Sequence, residues 1–362
     1  MFGKLAPALA LAAASTIAVA AIAPAGGAAA KGLTAVAGLT VGHHTLTERP
    51  TGCTVILTGA AGVVAGVDVR GGAPGTRDIE LLDPSNSVER VHAIVLSGGS
   101  AFGLDAASGV MRYLDERKIG FKIANTQVPI VPAAILMDLG FGGKPEVRPG
   151  PDCGYRAAEA ATAEAVAEGN VGAGAGATVG KLGGPGRAMK GGLGSASIAL
   201  PNGLIVGAIA AVNAAGDVID PATGKVVAGV RTEDGKGLAD ARALIRSGNI
   251  GRPQVGPRAG GNTTIAVVAT NAKLTKAEIS RVALMADDAL ARTINPSHTT
   301  GDGDTVFSLA TARWTGEANV SIVGALAADA LSEAIVRAVS TAEPLGGLPS
   351  ARALGTAPAR VK

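Results

Sequence analysis

Short runs of β-branched and aliphatic residues alternate along the chain with Ala-rich stretches of helical period. Strands are predicted at 53–57, 63–69, 93–96, 197–200, 204–212, 264–269 and 305–310. In 204–212 (Leu204-Ile205-Val206-Gly207-Ala208-Ile209-Ala210-Ala211-Val212) no position is polar. A strand of that kind is covered on both faces, so helices are expected outside a sheet layer. The clearest helix is 276–292, where Ile279, Val282, Ala283, Ala286, Ala289 and Leu290 share one face. Thr275 precedes it as N-cap and Glu278 follows three residues later, the spacing of a capping box. Segments 102–117, 154–168 and 317–339 also read as helices. From 219 to 261 Gly, Arg, Asp and Pro break the pattern, and 252–261 reads as a loop.

The two ends differ from this body. Lys4 is the only charge before Lys31, residues 5–23 are an almost unbroken apolar run, and Gly27-Ala28-Ala29-Ala30 supplies small residues. This is the layout of an export signal cleaved after Ala30, and it predicts a periplasmic or secreted protein with no membrane attachment after cleavage. The alternative is an uncleaved membrane anchor, for which its mostly alanine composition makes a weak bilayer span. At the other end, 341–362 carries Pro344, Pro349 and Pro358 among Gly and Ala and reads as a flexible tail. A single domain is expected over 31–340. Two cysteines in 362 residues are not a disulfide framework, so Cys53 and Cys153 read as buried free thiols, although export to an oxidising compartment would permit them to pair.

Composition narrows the function classes. The chain has 53 Gly but only one Trp, two Tyr and five Phe, which leaves few platforms for stacking bases. Its 32 basic and 29 acidic residues are dispersed, so a nucleic-acid partner is not expected. Leu96-Ser97-Gly98-Gly99-Ser100-Ala101-Phe102-Gly103 and Val171-Gly172-Ala173-Gly174-Ala175-Gly176-Ala177-Thr178 are Gly-rich, but neither ends in the Gly-Lys-Ser/Thr of a phosphate-binding loop. They read as tight turns and close backbone packing. His43, His44, His92 and His298 show no metal-ligand spacing, and no metal or cofactor is expected. A triad using His298 would lack a Gly-x-Ser-x-Gly elbow.

Two junctions carry chemistry. Gly260-Gly261-Asn262-Thr263-Thr264 runs into the apolar strand Ile265-Ala266-Val267-Val268-Ala269, and Gly301-Asp302-Gly303-Asp304-Thr305 runs into Val306-Phe307. A hydroxyl at a strand start, after a flexible loop, can attack the carbonyl before it and release a new N-terminus. The freed amine, with an intrinsic pKa of about 7.7–8.0, can then act as base for its own hydroxyl. Asp302 and Asp304 would set two carboxylates beside it, with mutual repulsion raising one pKa. The same residues can equally form an Asn-Thr turn and a solvated Asp-Gly-Asp turn.

With these junctions, the segments Gly38-Leu39-Thr40-Val41-Gly42-His43, 96–105, 174–181, Lys190-Gly191-Gly192-Leu193-Gly194, 206–217, 262–271 and 298–309 resemble a family of self-processing aminopeptidases and amidases. It includes L-aminopeptidase D-amidase/D-esterase, β-peptidyl aminopeptidases, pantetheine hydrolase and the nylon-oligomer hydrolases. The resemblance implies a four-layer αββα sandwich of the α/β class that resembles N-terminal nucleophile hydrolases. It also implies a hydrolase of small peptide or amide bonds that works through an acyl-enzyme and assembles as a homo-oligomer. Self-cleavage between Asn262 and Thr263 would give chains 31–262 and 263–362, with Thr263 as nucleophile and Asp302 and Asp304 in support. Asn213 falls at the oxyanion position, Lys181 at the family's active-site lysine, and Ser100 and Asp138 on the substrate side. Thr with Asp-x-Asp is similar to the nylon-oligomer branch, whereas the aminopeptidases use Ser with Ser-x-Glu. The aminopeptidase Glu that receives a free amine has no counterpart in 131–138, where Asp138 is the only acid. A 6-aminohexanoate-like or pantetheine-like amide, or acyl transfer to an amine, remains open beside an aminopeptidase activity.

Overall fold

A computed structural model describes residues 32–248 and 261–361; the expected signal at 1–30 and most of the 252–261 loop lie outside the described residues. Eleven strands build two sheets. They are β1 (Thr40–Thr45), β2 (Gly52–Leu57), β3 (Val63–Val69), β4 (Thr76–Arg77), β5 (Arg90–Val91), β6 (Ala93–Ser97), β7 (Ala133–Ile135), β8 (Gly192–Ala199), β9 (Ile205–Asn213), β10 (Thr263–Thr270) and β11 (Thr305–Ala310). The first sheet has the order β1-β2-β6-β7-β4 and the second β8-β9-β10-β11-β3-β5. Pairing is antiparallel except for β6 with β7 and β10 with β11. Among the described residues five α-helices accompany them: α1 (Ala106–Glu116), α2 (Pro151–Glu159), α3 (Ala241–Ser247), α4 (Lys276–Thr293) and α5 (Val320–Ser340).

The strand pleat sorts side chains into three cores, which fixes the layer order. Along β6, Ala93 and Val95 face α1 and α2, while Ile94 and Leu96 face the other sheet. Along β9 and β10, Ala208, Ala210, Ala266 and Val268 pack toward α4 and α5, while Ile209, Ala211, Ile265 and Val267 meet Ile94 and Leu96 between the sheets. Period-two alternation in strands apolar on both sides therefore produces helix, sheet, sheet, helix. This is the expected αββα sandwich.

Local signals place the elements. Thr275 accepts from the Glu278 N–H and the Glu278 side chain accepts from the Thr275 N–H, so the capping box at α4 is formed. Strand β8 starts at Gly192, ahead of the predicted 197–200, because Gly194 lies against α5: a Cβ there would sit 2.2 Å from the Ala334 carbonyl. The helix expected over 154–168 ends at Glu159, since Thr162 is drawn into a backbone bridge with Val41 at the edge of β1. Tertiary pairing overrides helix propensity there.

Two expectations are corrected. Residues 341–361 are not a flexible tail: Ala342, Ser350, Ala351 and Val361 are buried, the Lys190 N–H donates to Pro349 O (2.9 Å), and Arg360 forks onto Asp220 at 2.7 and 2.9 Å. The prolines rule out helix and strand but not packing. Cys53 and Cys153 are not free thiols; they form a disulfide that ties β2 to α2. It closes a loop across a sequence separation of 100 residues. In the chain-entropy account such a loop stabilises the fold by up to about 4.7 kcal/mol. Replacing both cysteines by Ser is expected to lower the denaturant midpoint by the equivalent of about 2–5 kcal/mol. An unchanged midpoint under non-reducing conditions would mean that the bridge contributes no stability.

Candidate active site

Thr263 opens β10 and is 2% exposed, and its partner across the ladder to β9 is Asn213. The Thr263 hydroxyl makes a short hydrogen bond to the carbonyl oxygen of Asn262, the residue before it. That oxygen also accepts the Gly303 N–H at 3.0 Å. A hydroxyl thus lies against a carbonyl already polarised by a backbone donor, in an arrangement suited to stabilising an oxyanion.

The donor comes from the loop before β11, where Asn262 and Asp302 form a parallel bridge. The Asp302 carboxylate accepts the Thr299 N–H at 2.7 Å, and Asp304 accepts the Thr264 N–H at 2.8 Å and the His298 N–H at 3.0 Å. Burial raises the Asp302 pKa and the neighbouring Asp304 charge adds to it, opposed by the Thr299 hydrogen bonds and Lys181. A strap holds this loop from outside: Ala73 N–H donates to Asp302 O (2.8 Å) and Gly72 N–H to Thr299 O (3.1 Å). Gly71 passes so close that a Cβ would lie 2.3 Å from the Asp304 nitrogen, which only glycine permits.

Asn213 and Lys181 complete the cluster. Asn213 Oδ1 accepts from Thr178 N–H at 3.0 Å and from Lys181 Nζ at 2.9 Å, while its Nδ2 donates to Met137 O at 2.9 Å. Lys181 Nζ also reaches Asn213 O (2.8 Å) and Gly261 O (3.1 Å), giving its three hydrogens three acceptors beside the Asn262–Thr263 junction. Desolvation pushes its pKa down to about 7 against the pull of Asp302 and Asp138. At neutral pH this lysine therefore stands near its own titration point, where it can hold or release a proton.

Thr263, Asp302, Asp304, Asn213 and Lys181, separated by up to about a third of the chain, are thus brought to one place. Ser100 and Asp138 lie at its rim. The Ser100 N–H donates to Leu136 O (3.0 Å), one residue from Met137, which holds Asn213. Asp138 is not open to a substrate amine. Its side chain is fully buried and accepts from Arg49 (2.9 Å), Thr51 Oγ1 (2.6 Å) and Gly99 N–H (2.9 Å). Its charge is spent on Arg49, and the pair fixes the Gly98-Gly99 turn and the chain carrying Met137. Gly176 packs against the same carboxylate, where a Cβ would lie 2.3 Å from Oδ2, so this glycine in 172–176 serves close packing.

Sequence reading missed three contributors. The Gly303 backbone donor has no side-chain signature. The Arg70-Gly71-Gly72-Ala73 strap follows β3 directly, and its glycine pair is the cue to a close approach. Arg49 and Asp138 are distant in sequence, and nothing in their spacing shows the pairing.

Known proteins resemble this chain along most of its length. The model of peptidase family S58 matches residues 31–352. An uncharacterized aminopeptidase of Mycobacterium tuberculosis is 43% identical over 343 residues, covering 88% of this chain and 96% of that protein. A 6-aminohexanoate-oligomer endohydrolase of an Agromyces species is 30% identical over 319 residues, covering 83% of this chain and 84% of the relative. Among solved structures, the L-aminopeptidase D-Ala-esterase/amidase of Ochrobactrum anthropi, described as a variant of the Ntn hydrolase fold, superposes with a TM-score of 0.64 at 21% identity. The overlap spans 90% of this chain and 91% of that one.

Proposed function

The chain belongs to peptidase family S58 and is a hydrolase of peptide or amide bonds, and we propose that it makes its own nucleophile by cutting itself between Asn262 and Thr263. The observation that carries this reading is the contact of the Thr263 hydroxyl with the Asn262 carbonyl, on whose oxygen the Gly303 N–H also converges. Attack by Oγ1 on that carbonyl carbon forms an ester and breaks the peptide C–N bond, and the departing nitrogen takes up a proton to become the Thr263 amine. Water then hydrolyses the ester, leaving a carboxylate on Asn262 and a free N-terminal Thr263.

The same atoms serve the second reaction. The Thr263 amine accepts the hydroxyl proton as Oγ1 attacks a substrate carbonyl, and that proton passes to the leaving amine. Water releases the acyl group from Oγ1. An amide nitrogen carries two hydrogens; Met137 O takes one from Asn213 Nδ2, and the second is the donor for the substrate oxyanion. Lys181 adds positive charge next to the amine when protonated, and Asp302 and Asp304 hold the amine and the backbone after it.

The substrate is a small peptide or amide. Asp138 is taken by Arg49, and 131–138 has no other acid to receive a free amine. This favours a blocked or internal amide over a strict aminopeptide, in line with the Agromyces relative, a 6-aminohexanoate-oligomer endohydrolase. Kinetics on matched pairs of peptide and 6-aminohexanoate substrates, each with a free and an acetylated amino end, test this. Comparable kcat/KM within each pair is expected; loss of turnover on acetylation would make the enzyme a strict aminopeptidase. The disulfide suits an oxidising compartment, which supports export through the N-terminal segment.

A further inference from the structure

One buried carboxylate is left without a role in this reaction. Asp287 lies on α4 among Ile279, Val282, Ala283, Ala286 and Leu290. Its side chain is completely buried, and neither oxygen has a hydrogen-bond partner among the described residues. A carboxylate removed from water in that way costs several kcal/mol unless a charge answers it. Two cations are near. Arg70 Nε lies 3.6 Å from Asp287 Oδ2, but Arg70 is already committed to Asp68 and Asp288, each at 2.7 Å. The other is His298, whose Nε2 lies 3.7 Å from Asp287 Oδ1.

His298 faces the active site with its other edge. Its Nδ1 is 3.0 Å from Asp304 Oδ2, the oxygen that also takes the His298 N–H, while Asp304 Oδ1 takes the N–H of Thr264. A line of contacts thus runs from α4 through imidazole and carboxylate to the residue after the nucleophile. The His298 backbone has φ +55, a conformation that a non-glycine residue adopts at a cost of about 1–3 kcal/mol. Its side chain is held there between two aspartates.

We propose that His298 and Asp287 are positioning residues of the Thr263 site: Asp287 orients the imidazole, and the imidazole fixes and neutralises Asp304. This rests on the reading that Thr263 is the nucleophile. An imidazolium between the two carboxylates cancels the charge on Asp304 and holds its second oxygen on the Thr264 N–H, which keeps the Thr263 amine in place. Burial works against a charged His298, but the contact with Asp304 and the charges of Asp287 and Asp304 prevail and raise its pKa. Burial likewise pushes Asp287 up to about 7, with His298 and Arg70 pulling down and Asp68 and Asp304 pushing up. Asp287 therefore titrates near neutrality, and the brace weakens as pH rises and the imidazolium is lost.

Two variants test this, with kcat measured on the processed fraction. Glycine is at ease at φ +55, so His298→Gly removes the ring and relaxes the backbone. It is expected to lower kcat about 10–100-fold, the usual effect of losing a second-layer partner, with KM within about twofold, and added imidazole should restore part of the rate. Asp287→Asn removes one of the charges that raise the His298 pKa, so the alkaline fall of kcat should move to lower pH. Wild-type kcat in His298→Gly, no response to imidazole and an unmoved alkaline limb in Asp287→Asn would overturn the proposal. Should His298→Gly not fold, the alkaline limb of Asp287→Asn decides alone. Thr263→Ala separates the two ideas: turnover in that variant removes the nucleophile reading. An inactive Thr263→Ala beside a wild-type-like His298→Gly removes only the positioning role.

Discussion

Thr263→Ala is expected to yield one uncut chain whose amide hydrolysis is lower than that of the processed enzyme by at least about 10³-fold, the scale of removing a nucleophile that works with its base. Alanine keeps the β-carbon and the strand, so β10 should still pair Thr264–Thr270 with β9 and the fold should survive. What is lost is the hydroxyl on the Asn262 carbonyl and, with it, release of the amine proposed to act as base. Both defects have one origin, so uncut chain and lost turnover must appear together. Thr263→Ser keeps a hydroxyl on the same carbon and should process and turn over. Substantial hydrolysis by Thr263→Ala would place the nucleophile elsewhere.

The second large effect is expected at Asn213. Its amide is the proposed oxyanion donor, and loss of such a donor costs about 2.7–4 kcal/mol of transition-state stabilisation, or about 10²–10³ in kcat. Asn213→Ala also leaves the Thr178 N–H and the Met137 carbonyl without their partner and takes one of three acceptors from Lys181. A buried polar group left unpaired costs about 1–3 kcal/mol, so a fall in thermal stability should accompany the kinetic loss. The kinetic signature separates the two effects: kcat should drop with KM changed only a few-fold, because the donor acts on charge that develops in the transition state. A kcat within threefold of wild type would remove Asn213 from the mechanism.

The layers were visible in the sequence where hydrophobic pattern alone decides them. The unbroken apolar run ending at Val212 announced a strand covered on both faces, and Thr275 with Glu278 marked the start of α4. Thr263 and the Asp302-Gly303-Asp304 turn could be picked out because each sits at a strand start after glycines. Their relation to Asn213 and Lys181 came only through resemblance, since it depends on β9 lying beside β10 and on the Lys181 turn folding over that edge. Hidden were features made by backbone or by long-range pairing. The Gly303 N–H leaves no side-chain trace, and prolines in 341–361 looked like disorder although the segment packs on Lys190 and Asp220. Asp287 is the instructive case. On a helix that also carries Lys276, Glu278, Arg281, Asp288 and Arg292, nothing in the sequence sets it apart, and only the fold turns it inward to His298.

Self-cleavage is the central claim, because the nucleophile, its base and the two-chain form all follow from it. Intact mass and N-terminal sequencing of purified full-length protein test it directly. Two chains are expected, the C-terminal one beginning at Thr263, with amide hydrolysis rising as the uncut chain disappears. A single uncut chain with full hydrolytic activity would contradict it.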